Sequence, residues 1–237
     1  MKSPHTTGIL FIHGAGLGGW IWNDLSTKLA MPTLAVDLPA RNKPKEQRAQ
    51  LSLEAYASDV MNQVNAWQVD KIIVVAHSLG GVIGLEVAAR LESKLAGFIA
   101  VCAATPKSGG SFISALPFPQ RIIMPLVLRL AGTQPPAASI KAGLCNDLSE
   151  AQATEVIEKF TPESAGVFTD KTHYKELTVP SLYIRTTKDK EYSLSMQTKL
   201  AQNLPNAQIA DVDAGHLPML SKPGELSELI ASFVRTI

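Results

Sequence analysis

Cysteine is scarce: Cys102 and Cys145 are the only two in 237 residues. That excludes a disulfide framework and fits a reducing compartment, and no Cys/His spacing marks a zinc site. Charge is sparse as well, at 18% of residues, and balanced, with 22 Lys and Arg against 21 Asp and Glu for a net of +1. Such a balance leaves no electrostatic footprint for nucleic acid or an anionic membrane. Long apolar runs are missing; Ile122–Leu128, for example, falls far short of the ~18 residues that cross a bilayer. The polar opening MKSPHTTG and the short apolar stretch Ile9–Ile12 do not read as a signal peptide. These absences predict a soluble, cytoplasmic protein. What is present is 46% apolar, too hydrophobic for disorder. The chain is long enough to bury a core unaided, as one large domain or two small ones.

Short apolar, β-branched runs alternate with helical patterns. Strands are predicted at Gly8–His13, Thr33–Val36, Lys71–His77, Leu95–Cys102, Ser181–Thr186 and Gln208–Asp211. Helices are predicted at Trp20–Ala30, Leu53–Gln68, Leu79–Ser93, Leu194–Asn203 and Lys222–Thr236. Strands apolar on both faces and joined by helices imply a mostly parallel sheet covered on both sides. The expected fold is α/β, doubly wound, with about six strands. The alternation fails between Thr105 and Thr178, a proline-rich stretch with helical pieces. We therefore expect a core of residues 1–104 and 179–237, with 105–178 as a mostly helical cap inserted at the carboxyl edge of the sheet, where ligands bind.

The strongest local signal is Ile72-Ile73-Val74-Val75-Ala76-His77-Ser78-Leu79-Gly80-Gly81-Val82-Ile83-Gly84. A buried strand runs into a serine flanked by small residues, and a helix follows at once. This is a nucleophile-elbow pattern, in which a sharp turn lifts the serine hydroxyl above the sheet. The helix N-terminus favours negative charge beside that hydroxyl.

A serine hydroxyl needs a base. His5 and His173 read as solvated surface, His13 ends the first strand, and the turn should aim His77 away from the serine. His216 is placed differently, in Asp213-Ala214-Gly215-His216-Leu217-Pro218-Met219, a loop between the last strand and the last helix. It is the expected base. Asp189, after the strand Ser181–Thr186, is the expected acid that orients it, with Asp213 the leading alternative. Asp211 is expected on or beside the last strand, Asp170 falls in the insertion, and Asp37 fits a turn cap. Oxyanion donors should be the backbone amides of Leu79 and Ala15. The glycines at 14, 16, 18 and 19 lack the G-x-G-x-x-G spacing of a dinucleotide site.

Three segments together resemble the α/β-hydrolase superfamily, in its small carboxylesterase/methylesterase and hydroxynitrile-lyase branch. They are His13-Gly14-Ala15 with Trp20-Ile21-Trp22, Ala76 to Gly81, and His216-Leu217-Pro218-Met219-Leu220-Ser221-Lys222-Pro223. The stretch Val179 to Asp189 resembles the branch's strand and acid loop, and the order Ser78, Asp189, His216 agrees with it. Plant hydroxynitrile lyases of the branch carry a threonine after the first-loop histidine and a lysine after the catalytic one. Here those positions are Gly14 and Leu217, which favours the esterase over the lyase. The resemblance implies a serine carboxylesterase acting on small or medium apolar esters through an acyl-enzyme, with no cofactor, no metal and no nucleic-acid or membrane partner. Trp20, Phe112, Phe118, Met124, Leu217 and Met219 are candidate pocket residues, and the protein is expected to be a monomer or homodimer. The alternatives are a non-catalytic ligand receptor on the same fold, or a lyase or acyltransferase of the superfamily.

Overall fold

The computed structural model describes residues 6–41 and 43–237; His5 and most of the polar opening lie outside them. All six predicted strands form: β1 (Thr7–Ile12), β2 (Thr33–Val36), β3 (Lys71–His77), β4 (Leu95–Val101), β5 (Ser181–Thr186) and β6 (Gln208–Val212). They join in one sheet of order β2-β1-β3-β4-β5-β6, and every neighbouring pair is parallel. The fold is therefore the α/β, doubly wound one expected. The chain leaves β1 toward β2, then returns across β1 to β3. Strand order thus reverses between β1 and β3, and the crevice at their carboxyl ends is where such sheets bind ligands.

The continuous apolar runs follow from burial of both sheet faces. One face carries Leu10, Ile12, Val74, Ala76, Phe98 and Tyr183, packed under helices Leu53–Asn65, Gly80–Leu91 and Leu194–Ala201. The other carries Ile9, Phe11, Ile73, Val75, Ile99 and Ile184, packed against Trp22, Leu25 and the helix Pro223–Val234. Each fully buried aliphatic side chain contributes about 1.5–3 kcal/mol to holding these layers. Ser52 caps the first of these helices, its hydroxyl accepting from Ala55 N at 3.2 Å. The single helix expected over Trp20–Ala30 is instead a 3-10 turn, Gly19–Trp22, and a short helix, Asn23–Ser26. After Ser26 the backbone closes tighter turns, with Lys28 N donating to Leu25 O and Leu29 N to Ser26 O.

Residues 105–178 add helices Phe112–Ala115, Gln120–Ala131, Ala137–Gly143, Glu150–Lys159 and Gly166–Thr169, and no strand of the sheet. The helix Gln120–Ala131 inverts the usual amphipathic arrangement. Only Met124 and Leu128 pack inward, while Ile122, Ile123, Leu126, Val127 and Leu130 are exposed. Among the described residues, no helix is long and apolar enough to cross a membrane.

Candidate active site

β3 ends at His77 and the next helix begins at Gly80, leaving Ser78 in the turn with φ +52°. A side chain rarely adopts this left-handed conformation, which costs about 1–2 kcal/mol. Neighbouring strands enforce it. Ser78 N donates to Val101 O at 3.3 Å, and its carbonyl accepts from Gly81 N at 3.0 Å and Ala104 N at 2.9 Å. The loop after β1 presses against the same turn. A Cβ on Gly80 would lie 2.6 Å from His13 O and 2.7 Å from Ile12 O, so glycine is required there.

Above the sheet the three predicted side chains meet. Ser78 Oγ donates to His216 Nε2 at 2.9 Å, and His216 Nδ1 donates to Asp189 Oδ2 at 2.8 Å. The acid sits in a nest of donors. Asp189 Oδ1 accepts from the amides of Glu191 (2.8 Å) and Tyr192 (2.9 Å), and Oδ2 also accepts from Thr186 Oγ1 at 2.8 Å. Burial alone would raise the Asp189 carboxyl, but the His216 charge and hydrogen bond, with the Tyr192 amide and Thr186 hydroxyl, bring it down to about 2. For His216 burial works against the charged form, yet the Asp189 carboxylate outweighs it and lifts the imidazole well above its ordinary value. Such an arrangement can take a proton from Ser78 and hold the resulting imidazolium.

Asp213, the alternative acid, points elsewhere. It pairs with Lys188 at 2.7 Å and accepts from Thr187 Oγ1 at 3.0 Å, its side chain 63% exposed. Asp211 pairs with Arg185 across β5 and β6. Asp37 accepts from Gly19 N at 2.8 Å, holding the glycine loop as a turn cap does. Asp170 accepts from Leu53 N at 2.9 Å. His173 is exposed. Leu79 is buried at the start of the helix, and Ala15 is half-buried in the facing loop.

Several supporting residues carry no signature in the sequence. His77, expected only to point away from Ser78, donates Nε2–H to the His216 carbonyl at 2.8 Å. Burial, then the His216 charge, lowers its pKa to about 3, so the ring stays neutral. Cys102 Sγ donates to the same carbonyl at 3.5 Å. The ligating side chains of His77, Cys102 and His216 lie within 4.8 Å of one another, but His77 Nε2 and Cys102 Sγ bond the His216 carbonyl, and both His216 ring nitrogens are engaged with Ser78 and Asp189. From residues 105–178, Asp147 Oδ2 accepts from Gly215 N at 2.6 Å, and Asn146 Nδ2 donates to Lys188 O at 3.0 Å. The loops carrying His216 and Asp189 are thus both tied to that segment. Gln197 links the acid loop to the helix Leu194–Ala201, accepting from Thr186 N at 2.9 Å and donating to Tyr192 O at 2.8 Å.

The candidate pocket residues divide. Phe112 reaches the site through Tyr192: its ring lies 6.5 Å from that of Tyr192, which packs edge-on against His216 at 5.3 Å. Tyr192 is itself buried, its hydroxyl close enough to Ser78 to interact with that side chain. Met124 packs on the core from the helix Gln120–Ala131. Leu217 and Met219 are fully buried in the core of the opposite sheet face, and Trp20 packs against that core with Lys159 Nζ 4.5 Å above its ring. Phe118 does not enter a pocket; at 74% exposure it extends the outward apolar face of residues 122–130.

Residues 9–229 match the alpha/beta hydrolase family. A carbendazim hydrolyzing esterase of Nocardioides sp. (strain SG-4G) is 33% identical over 113 residues, 46% of this chain and 46% of that protein. The chain thus matches about half the length of that relative. Methylesterase 9 of Arabidopsis thaliana is 25% identical over 248 residues, covering 92% of this chain and 94% of that protein. An extracellular alpha/beta-hydrolase from a Paenibacillus species, described as sharing structural and functional homology with tobacco salicylic acid binding protein 2, superposes with a TM-score of 0.84. It is 18% identical over 96% of this chain and 98% of its own. A pyrethroid hydrolase from Sphingobium faniae JZ-2 superposes with a TM-score of 0.78 at 23% identity, covering 97% and 98% of the two chains. The structural likeness shows the fold, and the family match runs from β1 to the last helix. The chain belongs to the alpha/beta hydrolase family.

Proposed function

We propose that this protein is a serine carboxylesterase for small or medium apolar esters. The observation that carries the reading is the unbroken chain Ser78 Oγ, His216 Nε2, His216 Nδ1, Asp189 Oδ2, with contacts of 2.9 and 2.8 Å, standing where strand order reverses. In the proposed reaction Ser78 Oγ attacks the ester carbonyl while His216 takes its proton. The amides of Ala15 and Leu79 hold the oxyanion of the tetrahedral intermediate. His216 then protonates the departing alcohol, leaving an acyl-enzyme, and activates water to release the acid. Asp189 keeps the imidazole in the tautomer that faces Ser78 with a lone pair. Residues 105–178 act as a cap, with Phe112 and Tyr192 presenting apolar surface beside the nucleophile. The relatives named esterase, methylesterase and pyrethroid hydrolase support an ester-cleaving hydrolase of this kind. Leu217 follows His216 where a lysine would serve a departing cyanide, which favours hydrolysis over the lyase reaction.

The test is turnover of short-chain p-nitrophenyl esters together with labelling by a fluorophosphonate. Native protein is expected to hydrolyse the esters and to label at Ser78, and Ser78→Ala to do neither. Native protein that neither hydrolyses the esters nor labels at Ser78 overturns the proposal.

A further inference from the structure

A second buried polar network adjoins the site and takes no part in the proton relay. Its centre is Glu163, a carboxylate in residues 105–178 that is only 4% exposed. Glu163 Oε1 accepts from the Gly16 amide at 3.1 Å and from the Arg41 guanidinium. Glu163 Oε2 accepts from the Tyr56 hydroxyl at 2.9 Å, and that hydroxyl in turn accepts from Ser164 N at 3.0 Å. The adjoining backbone is held as firmly. Thr161 N donates to Gly16 O at 2.9 Å, Arg41 donates to Thr161 O at 2.8 Å, and Arg48 donates to Pro162 O at 3.1 Å. Gly16 has φ +76°, and a Cβ on it would lie 2.0 Å from the Phe160 ring. Residues 160–163 therefore clasp Gly16 through its amide, its carbonyl and its α-carbon.

Gly16 follows Ala15 directly. The peptide plane that contains the Ala15 N–H also contains the Gly14 carbonyl, which accepts from His13 Nδ1 at 2.7 Å and Leu17 N at 3.4 Å. His13 can serve this way because Leu38 N donates to its Nε2 at 3.2 Å, leaving the proton on Nδ1. The next plane contains the Gly16 N–H, and Glu163 holds it. With both planes fixed, the Ala15 N–H has one direction. A carboxylate is a costly way to fill buried space unless its bonds serve a purpose, since apolar side chains of similar volume usually pack as stably. Its charge makes the bond to the Gly16 amide stronger than a neutral acceptor would.

We propose that Glu163 is a positioning residue for the oxyanion hole: its carboxylate, held by Arg41 and Tyr56, fixes the Gly16 amide and so aims the Ala15 N–H at the substrate carbonyl oxygen. The proposal rests on Ala15 being an oxyanion donor in the esterase reading. It makes the segment that covers the site and the loop that stabilises the transition state one connected unit.

The experiment compares Glu163→Ala, Glu163→Gln and Tyr56→Phe with the native enzyme. It measures kcat and KM on p-nitrophenyl butyrate and inhibition by an alkyl trifluoromethyl ketone, which forms a tetrahedral adduct on a nucleophilic serine. Losing one oxyanion donor outright lowers kcat by about 10²–10³. Misaiming one should lower kcat of Glu163→Ala about 10–100-fold, with KM within about threefold and ketone affinity falling in step with kcat. Glu163→Gln keeps an acceptor for Gly16 N and should recover to within about fivefold of native, while Tyr56→Phe should fall between the two. A folded Glu163→Ala protein with native kcat, or one that loses activity while ketone affinity stays native, overturns the proposal. If Glu163→Ala does not fold, native ketone affinity in Tyr56→Phe overturns it. Failure of the esterase reading appears separately, in native protein that neither turns over ester nor labels at Ser78, and overturns both.

Discussion

Replacing Asp189 by asparagine separates orientation from packing. Asp189 Oδ1 accepts from two backbone amides, Glu191 N at 2.8 Å and Tyr192 N at 2.9 Å. An introduced asparagine must therefore keep its carbonyl oxygen there and turn its NH₂ toward His216 and Thr186. Thr186 Oγ1 can accept from that group and donate to Gln197 Oε1, already 3.4 Å away. The variant is thus nearly satisfied and should fold. His216 Nδ1, however, would face a donor and become an acceptor, which moves the ring proton to Nε2. The nitrogen facing Ser78 would then carry a hydrogen where the reaction needs a lone pair. The expected loss in kcat is about 10⁴-fold, near 5 kcal/mol of transition-state stabilisation. The stability cost is smaller. Bringing the carboxyl from 3.8 down to about 2 corresponds to roughly 2 kcal/mol, or about 4–8 °C in Tm for a chain of this size. Because the folded-state pKa is depressed, that stability is present above about pH 4 and disappears as pH falls through about 2. The assay is kcat on p-nitrophenyl butyrate with thermal melts at pH 7, beside Asp213→Asn. The exposed Asp213 substitution should leave kcat unchanged and stability within about 0.5 kcal/mol. A folded Asp189→Asn enzyme within tenfold of native kcat refutes the reasoning.

Other perturbations have equally definite outcomes. The acid limb of kcat/KM should have a midpoint above 6.5, because Asp189 raises the imidazole and the base works only when deprotonated; in Asp189→Asn it should move below 6.5, and a native midpoint below 6.5 counts against the relay. Gly80→Ala would push a methyl group to 2.6 Å from His13 O, costing about 1–3 kcal/mol or more; an unchanged Tm in a thermal melt contradicts the crowding. Trp22→Ala, in contrast, opens the core where that ring stacks on Phe11 at 4.7 Å between centroids, for about 3–5 kcal/mol in chemical denaturation. Ile122→Ser and Leu130→Ser, both on the outward face, should each stay within about 0.5 kcal/mol by the same measurement.

The parts of this site that were legible in the sequence are those whose chemistry is local. The elbow could be read because strand, small residues, serine and helix follow one another within a dozen positions. His216 could be found because it lies in the loop between the last strand and the last helix, a position that reaches over the sheet edge toward Ser78. The choice between Asp189 and Asp213 was not local. Both lie in loops at the same edge of the sheet, and only the packed structure shows Asp213 facing Lys188 while Asp189 meets His216. His77 was legible only in part, for a related reason. Its ring does leave the nucleophile, but it goes to the carbonyl of a residue 139 positions away.

By itself the sequence determined the six strands, their parallel winding and the grouping of Ser78, Asp189 and His216 at one edge of the sheet. Apolar runs, turn-forming residues and an elbow act through neighbours along the chain. Only the tertiary structure decided which carboxylate hydrogen-bonds His216, which of residues 105–178 hold the loops beside it, and that Phe118 and the helix Gln120–Ala131 turn apolar side chains outward. Glu163 shows why. Its contacts with Gly16, Arg41 and Tyr56 span 147, 122 and 107 positions, and a carboxylate accepting a backbone amide demands nothing of the partner's residue type. Such bonds leave no pattern to read until folding brings the two ends together.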